Sequence, residues 1–177
     1  MIEVRAHGRG GQGSVTFAEI VSVAAFADGR QTQAFAAFGP ERRGAPVAAF
    51  VRINDKPIRM RQQVYNPDVV VVFDPCLIEV VDVLAGMKKG GIVVINTEAP
   101  LRLNGDFKYF NVNADKIALE TIGKPIVNTA MLGAFAKATG LVTLGSLKAA
   151  ISQRFGEKAG EQNFRAAERA YNETVAV

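Results

Sequence analysis

Ile2-Glu3-Val4-Arg5-Ala6, then Gly8-Arg9-Gly10-Gly11-Gln12-Gly13, then Ser14-Val15-Thr16-Phe17-Ala18, read in order as strand, glycine-rich bend and helix. The apolar and charged residues of 2–6 alternate with the two-residue period of a strand. Val15, Ala18, Ile20, Val21 and Ala24 recur at helical spacing through about Ala27, with Ser14 as a suitable cap and Gly29 as the stop. Between these elements Gly8, Gly10 and Gly13 have the spacing G-x-G-x-x-G. Glycine permits a tight bend and lets backbone N–H groups approach a phosphate, while the helix start adds partial positive charge. An anion placed there gains about 0.3–2 kcal/mol from the helix terminus.

Working outward, Gln33 to Phe38 reads as a second strand and Gly39 to Pro46 as an exposed loop. Val47 to Ile53 and Pro57 to Met60 read as a hairpin turning at Asn54-Asp55. Val69 to Phe73 is a continuous β-branched run, the mark of a strand buried on both faces of a parallel sheet. Cys76 to Met87 reads as a helix stopped by Gly90-Gly91, followed by strands at Ile92 to Ile95 and Tyr109 to Val112. Ala130 to Thr139, Ser146 to Phe155 and Ala159 to Asn172 read as successive helices parted at Gly140 and Gly156. The expected fold is α/β: a doubly wound, Rossmann-like, mostly parallel sheet with a β-hairpin insertion and a helical C-terminal part. One domain is expected over 177 residues, enough to bury roughly 70% of the unfolded surface.

Composition narrows the function. With 49% apolar and 21% charged residues the chain is an ordinary globular one, which excludes a disordered segment as its basis. Apolar runs such as Val69 to Phe73 are too short to cross a bilayer, and Glu3 and Arg5 read against a secretory leader. One cysteine, Cys76, excludes an internal disulfide, fits a reducing cytoplasm, and falls short of the four thiolates a cluster generally needs. One histidine, His7, leaves no histidine-rich zinc site. Residues 1–63 carry nine Lys/Arg against five Asp/Glu, whereas the rest of the chain is balanced. That bias suits an anionic ligand or an acidic partner. Scattered basic residues without stacking aromatics read against nucleic acid.

A dehydrogenase binding NAD would carry Asp or Glu at the end of its second strand, to hold a ribose hydroxyl. Here that strand reads Gln33-Ala34-Phe35-Ala36-Ala37-Phe38, without an acid. Gly10, Gly11, Gln12 and Gly13 are expected to form a backbone-amide cradle, with Gln12 as an added neutral donor. Thr16, one turn into the helix, either meets a ligand or back-bonds within its helix. Arg42 and Arg43 suit a phosphate or a partner carboxylate, and Arg9 could serve either use. His7 reads as structural, Cys76 as a small side chain at a helix start, and Lys88-Lys89 as a solvated helix end.

Gly8-Arg9-Gly10-Gly11-Gln12-Gly13 with Thr16 resembles the G-x-G-G-Q-G-x-x-T motif of the gamma subunit of 2-oxoacid:ferredoxin oxidoreductases, the pyruvate/ketoacid ferredoxin oxidoreductase family. The likeness continues at Gly39-Pro40-Glu41-Arg42-Arg43-Gly44, at Asn66-Pro67-Asp68-Val69-Val70, at Asn128-Thr129-Ala130-Met131-Leu132-Gly133-Ala134, and at Asn163 in an alanine-rich helix. These matches run in family order along almost the whole chain, which is then a single gamma-type domain over 1–177. The resemblance implies a complex that oxidatively decarboxylates a 2-oxoacid, makes an acyl-CoA and passes electrons to ferredoxin or flavodoxin. It implies thiamine diphosphate, Mg and iron–sulfur clusters in other chains: thiamine-binding alpha and beta subunits and a ferredoxin-like delta subunit. Coenzyme A would meet the gamma domain at Gly8, Gly10, Gly11, Gln12, Gly13, Thr16, Arg42 and Arg43. Gly105-Asp106-Phe107 departs from the Gly-Asp-Gly of a thiamine site, consistent with that division. A homodimer of the isolated chain and no activity alone are further expectations. The alternative is a stand-alone nucleotide-binding reductase module.

Overall fold

The computed structural model describes residues 1–37 and 44–177. Arg42, Arg43 and most of the Gly39 to Gly44 loop therefore lie outside the described residues. Thirteen short elements follow one another among the described residues. β1 (Ile2–Arg9) leads through α1 (Ser14–Ala27) to β2 (Gln31–Ala36) and β3 (Pro46–Asn54). β4 (Val69–Val72) is followed by a 3-10 turn (Pro75–Glu79), β5 (Ile92–Asn96) and β6 (Lys108–Val112). The helical part comprises α2 (Ala114–Ile122), α3 (Asn128–Thr139), α4 (Leu144–Phe155) and α5 (Glu157–Glu173), and β7 (Val175–Ala176) closes it. No helix among the described residues is long and apolar enough to cross a membrane.

The seven strands among the described residues form one sheet in the order β2-β3-β1-β4-β5-β6-β7. β1, β4, β5 and β6 pair in parallel, β2 runs the same way, and β3 and β7 run against them. The sheet is thus mostly parallel, as expected. Period two decides which side chain goes where. Val4, Ala6, Val69, Val71, Val94 and Val112 face the helices, where Phe17, Met131, Phe135 and Ile151 complete the larger core. Val70, Val72, Val93, Ile95 and Tyr109 face the other way, under Ile78, Leu84, Leu101, Leu103 and Phe107. α3 is the buried centre of the helical layer. A Cβ at Gly133 would overlap the Ala167 carbonyl of α5, so only glycine allows the two backbones this approach.

The hairpin expected between Val47 to Ile53 and Pro57 to Met60 is not formed. β3 pairs with β1 on one side and β2 on the other, so the insertion is a β2–β3 hairpin instead. Residues 57–60 are irregular because the neighbouring stretch is tied down on the sheet face. The fully buried guanidinium of Arg52 donates to the Gln62 carbonyl at 2.7 Å and to Gln33 Oε1, and pairs with Glu3 at 2.9 Å. The helix expected over Cys76 to Met87 is also absent, reduced to the 3-10 turn. Asp74 caps the Cys76 amide, but Ile78, Val80, Val81 and Val83 are β-branched and disfavour continuation. Asp82 then restarts a turn by accepting from the Leu84 amide. α2 and β7 were not anticipated; α2 is announced locally only by Asn113, whose side chain caps the Lys116 amide.

Candidate anion-binding bend

β1 leaves the sheet toward α1 and β2, while its other neighbour β4 continues toward β5. The crevice beyond the C-terminal ends of β1 and β4 is therefore the point where the winding reverses, the usual ligand position in such sheets. The glycine-rich bend lies there. Strand pairing runs further than the sequence suggested: Gly8 pairs with Val47 and Arg9 with Pro46, so the bend proper is Gly10 to Gly13. Gly8 is packed, since a Cβ there would lie 3.2 Å from Ser14 Cβ.

Not every amide of the bend faces outward. Gly10 N–H donates to Ala45 O at 2.9 Å, and Gln12 N–H donates to Arg9 O at 2.9 Å. Gln12 closes the bend in a second way: its Oε1 accepts from Arg9 N–H at 2.7 Å, which leaves Nε2 as the group able to meet a ligand. The amides of Gly11 and Gly13 have no partner among the described residues. Gly13, at φ 82, is the N-cap of α1 and has no side chain to offer, so the amides of Ser14, Val15 and Thr16 are uncapped. Ser14 is thus the first helical residue, not the cap. Gly11, at φ 96, is open, with nothing within 4 Å of where a Cβ would stand. Thr16 is half-buried and makes no side-chain hydrogen bond among the described residues, so its hydroxyl does not back-bond there.

Arg9 is engaged, its Nε 2.5 Å from Asp74 Oδ2 and its Nη1 3.2 Å from Gly44 O. Burial opposes ionisation of Asp74, but hydrogen bonds from Arg9 and the Cys76 amide outweigh it and hold the carboxyl below its usual range. The carboxylate at the crevice is therefore already neutralised. Cys76 is exposed at the start of the 3-10 turn. His7 is buried on the opposite face of the sheet, where its Nε2 accepts from Arg5 Nε at 3.0 Å. Burial and the Arg5 charge bring its pKa down to about 4, so it is a neutral, structural imidazole at ordinary pH. Arg42 and Arg43 lie outside the described residues.

A further residue borders the bend. Asn128, the first residue of α3 and 4% exposed, lies against Gly13: a Cβ there would be 2.6 Å from Asn128 Nδ2. Its Oδ1 accepts from Thr129 N–H at 2.8 Å. The local signal was an Asn-Thr pair opening an apolar helix, which reads as a cap. Its contact with residue 13 is set by the fold alone.

Similarity to known proteins spans this whole arrangement. Residues 3–173 match the family described as pyruvate ferredoxin/flavodoxin oxidoreductase. The chain is 58% identical over 173 residues to the pyruvate synthase subunit PorC of Methanothermobacter thermautotrophicus, covering 98% of this chain and 96% of that one. It is 56% identical over 181 residues to the pyruvate/ketoisovalerate oxidoreductases common subunit gamma of Thermococcus kodakarensis, covering 99% and 98%. Among solved structures it resembles the pyruvate oxidoreductase subunit PORC of Thermotoga maritima with a TM-score of 0.88 at 35% identity, over 99% and 97% of the two chains. The fold also recurs in 2-oxoglutarate:ferredoxin oxidoreductase of Magnetococcus marinus, TM-score 0.80 at 20% identity, over 97% of this chain and 30% of that longer one.

Proposed function

The chain belongs to the pyruvate ferredoxin/flavodoxin oxidoreductase family as a gamma-type subunit, and from that premise we propose that it completes a multi-subunit 2-oxoacid:ferredoxin oxidoreductase. The complex oxidatively decarboxylates a 2-oxoacid, forms an acyl-CoA and hands electrons to ferredoxin or flavodoxin in the cytoplasm. This chain contributes to subunit assembly and to the entry of coenzyme A. One observation carries the assembly role: end-to-end similarity, at 56–58% identity, to relatives named as subunits. The relative from Magnetococcus marinus was solved with coenzyme A and succinyl-CoA bound, which supports the same ligand here.

The residues present fit a polyanion and do not fit the redox groups. One cysteine and one histidine, the latter buried and bonded to Arg5, cannot ligate an iron–sulfur cluster. Among the described residues no three His, Cys, Asp or Glu gather to hold a metal ion. Thiamine diphosphate, Mg and the clusters are therefore assigned to the alpha, beta and delta partners. Coenzyme A supplies the thiol that accepts the acyl group. What this chain adds is the set of amides at Gly11, Gly13, Ser14, Val15 and Thr16, open among the described residues, with Gln12 Nε2 beside it, to hold phosphate oxygens and orient the molecule.

A stand-alone nucleotide-binding reductase needs an acid on a strand beside β1. β3 stands between β1 and β2, so β2 is two strand spacings, roughly 10 Å, from β1. It ends in Ala36-Ala37, without a carboxylate.

Co-expression with the neighbouring thiamine-binding and ferredoxin-like chains tests the reading. The chain should copurify, and Gly11→Ala with Gln12→Ala should raise KM for coenzyme A by roughly 2- to 30-fold while KM for the 2-oxoacid holds. Unchanged coenzyme A kinetics would remove the ligand role, and failure to copurify would remove the subunit role.

A further inference from the structure

The N-termini of two buried helices meet at the bend, and neither has a side-chain cap. At α1 the N-cap is Gly13, and the group packed against it is the primary amide of Asn128. That amide is not free to turn. Asn163 Nδ2 donates to Ala159 O at 2.8 Å, which leaves Asn163 Oδ1 to accept from the buried Thr129 hydroxyl at 3.0 Å. Thr129 N–H in turn donates to Asn128 Oδ1. Rotating the Asn128 amide by half a turn would set its NH2 against the Thr129 N–H, donor against donor. The Thr129 backbone amide thus fixes Nδ2 toward Gly13. Nδ2 has no acceptor among the described residues, although Asn128 is more than nine-tenths buried. A donor on a residue 4% exposed, beside an uncapped helix start and without an acceptor among the described residues, can take an oxygen from outside the chain.

We propose that Asn128 is a ligand-binding residue, its Nδ2 donating to a phosphate oxygen held by the open amides at the start of α1. This rests on the coenzyme A reading above and adds to it a residue some 115 positions away in sequence. The Thr129 backbone amide orients Asn128, while the Thr129–Asn163 side-chain bond ties α3 to α5. The chemistry favours an oxyanion over a cation or an apolar group: Nδ2 and the helix amides are all donors, and the nearby carboxylate of Asp74 is already bonded to Arg9.

Asn128→Asp keeps the shape and the bond from the Thr129 amide but turns the donor into a carboxylate. In the assembled complex it should weaken coenzyme A tenfold or more, and raise the Ki of inorganic pyrophosphate comparably. The kcat/KM for pantetheine, which has no phosphate, should stay within twofold. Loss of pantetheine activity in parallel would mean a structural role and overturn the proposal. Independently of any variant, inorganic pyrophosphate added to the 15N-labelled wild-type chain should shift the Asn128 side-chain amide signals; unmoved signals would overturn it. If Gly11→Ala with Gln12→Ala weakens coenzyme A while Asn128→Asp does not, this proposal fails and the coenzyme A reading stands. If pyrophosphate moves the Asn128 signals while neither set of variants alters coenzyme A kinetics, the phosphate site stands and coenzyme A is not its ligand.

Discussion

Gly133→Ala adds one methyl group at the place where α3 and α5 cross. The new Cβ would stand 2.6 Å from the Ala167 carbonyl carbon, 3.0 Å from its Cα, and closer still to its oxygen. Carbon atoms in contact rest at about 3.5–4.0 Å, so the helices must part by about 1 Å. Both surfaces are backbone, so no rotamer change can absorb the insertion. Overpacking of this kind costs about 1–3 kcal/mol, and rigid contact places Gly133 at the upper end. Alanine recovers about 0.5–1 kcal/mol in helix propensity, which leaves a net loss of about 2 kcal/mol. For a domain of this size that lowers Tm by about 4–8 °C, and urea unfolding followed by circular dichroism reads the free energy directly. Gly145→Ala is the control, because it is exposed in α4 with its nearest neighbour 3.9 Å away, and should gain up to about 1 kcal/mol. A Gly133→Ala loss below about 0.5 kcal/mol would refute close backbone packing as the reason for glycine.

His7 is the single histidine, so proton uptake between pH 5 and 7 on unfolding reports on it with little interference. Its pKa of about 4 in the folded protein lies below the ordinary 6.5, so the unfolded chain binds the proton first as pH falls and stability drains through that window. Between pH 7 and pH 5 the loss should be about 2 kcal/mol, and His7→Gln should nearly abolish it in urea titrations; equal slopes would disprove the assignment. Tyr109 Oη is buried without a hydrogen-bond partner among the described residues, so Tyr109→Phe should leave stability unchanged or raise it by up to about 1 kcal/mol. A loss larger than that in thermal melts would mean the hydroxyl is satisfied in solution.

What the sequence disclosed was whatever local chemistry determines. Strand, bend and helix at residues 2–27 follow from period two, glycine and period 3.6, and α1 ends where Gly29 predicts. Val69 to Phe73 could only be a strand with two buried faces. Pairing partners were less legible. Nothing local says that Val47 to Ile53 joins β1 and β2 instead of turning back on itself, because the choice is made by register across the sheet. Gln12 was legible as a polar group in the bend, but not that its Oε1 closes the bend on Arg9. Asn128 was invisible as a site residue, since its neighbour is Gly13 and only the stacking of α3 beside α1 brings them together.

The charge bias of the first third shows why counting residues misleads about recognition. Arg5 and Arg52 are buried and Arg9 is paired with Asp74, so these three cations serve the fold, while Arg30 pairs with Asp55 at the surface. Lys56, Arg59 and Arg61 are exposed on the segment after β3. Among the described residues the unpaired donors at the bend are neutral instead: backbone amides of the bend and of α1, Gln12 Nε2 and Asn128 Nδ2. Neutral donors fixed by packing need not shed a tightly held water shell or a competing counterion before meeting a phosphate. Their orientation is set in advance by the glycine bend and by the Thr129 amide bonded to Asn128 Oδ1. If these neutral donors carry the binding, added salt should weaken it far less than it weakens a pocket of lysines and arginines, and a steep salt dependence would point to Arg42 and Arg43 instead.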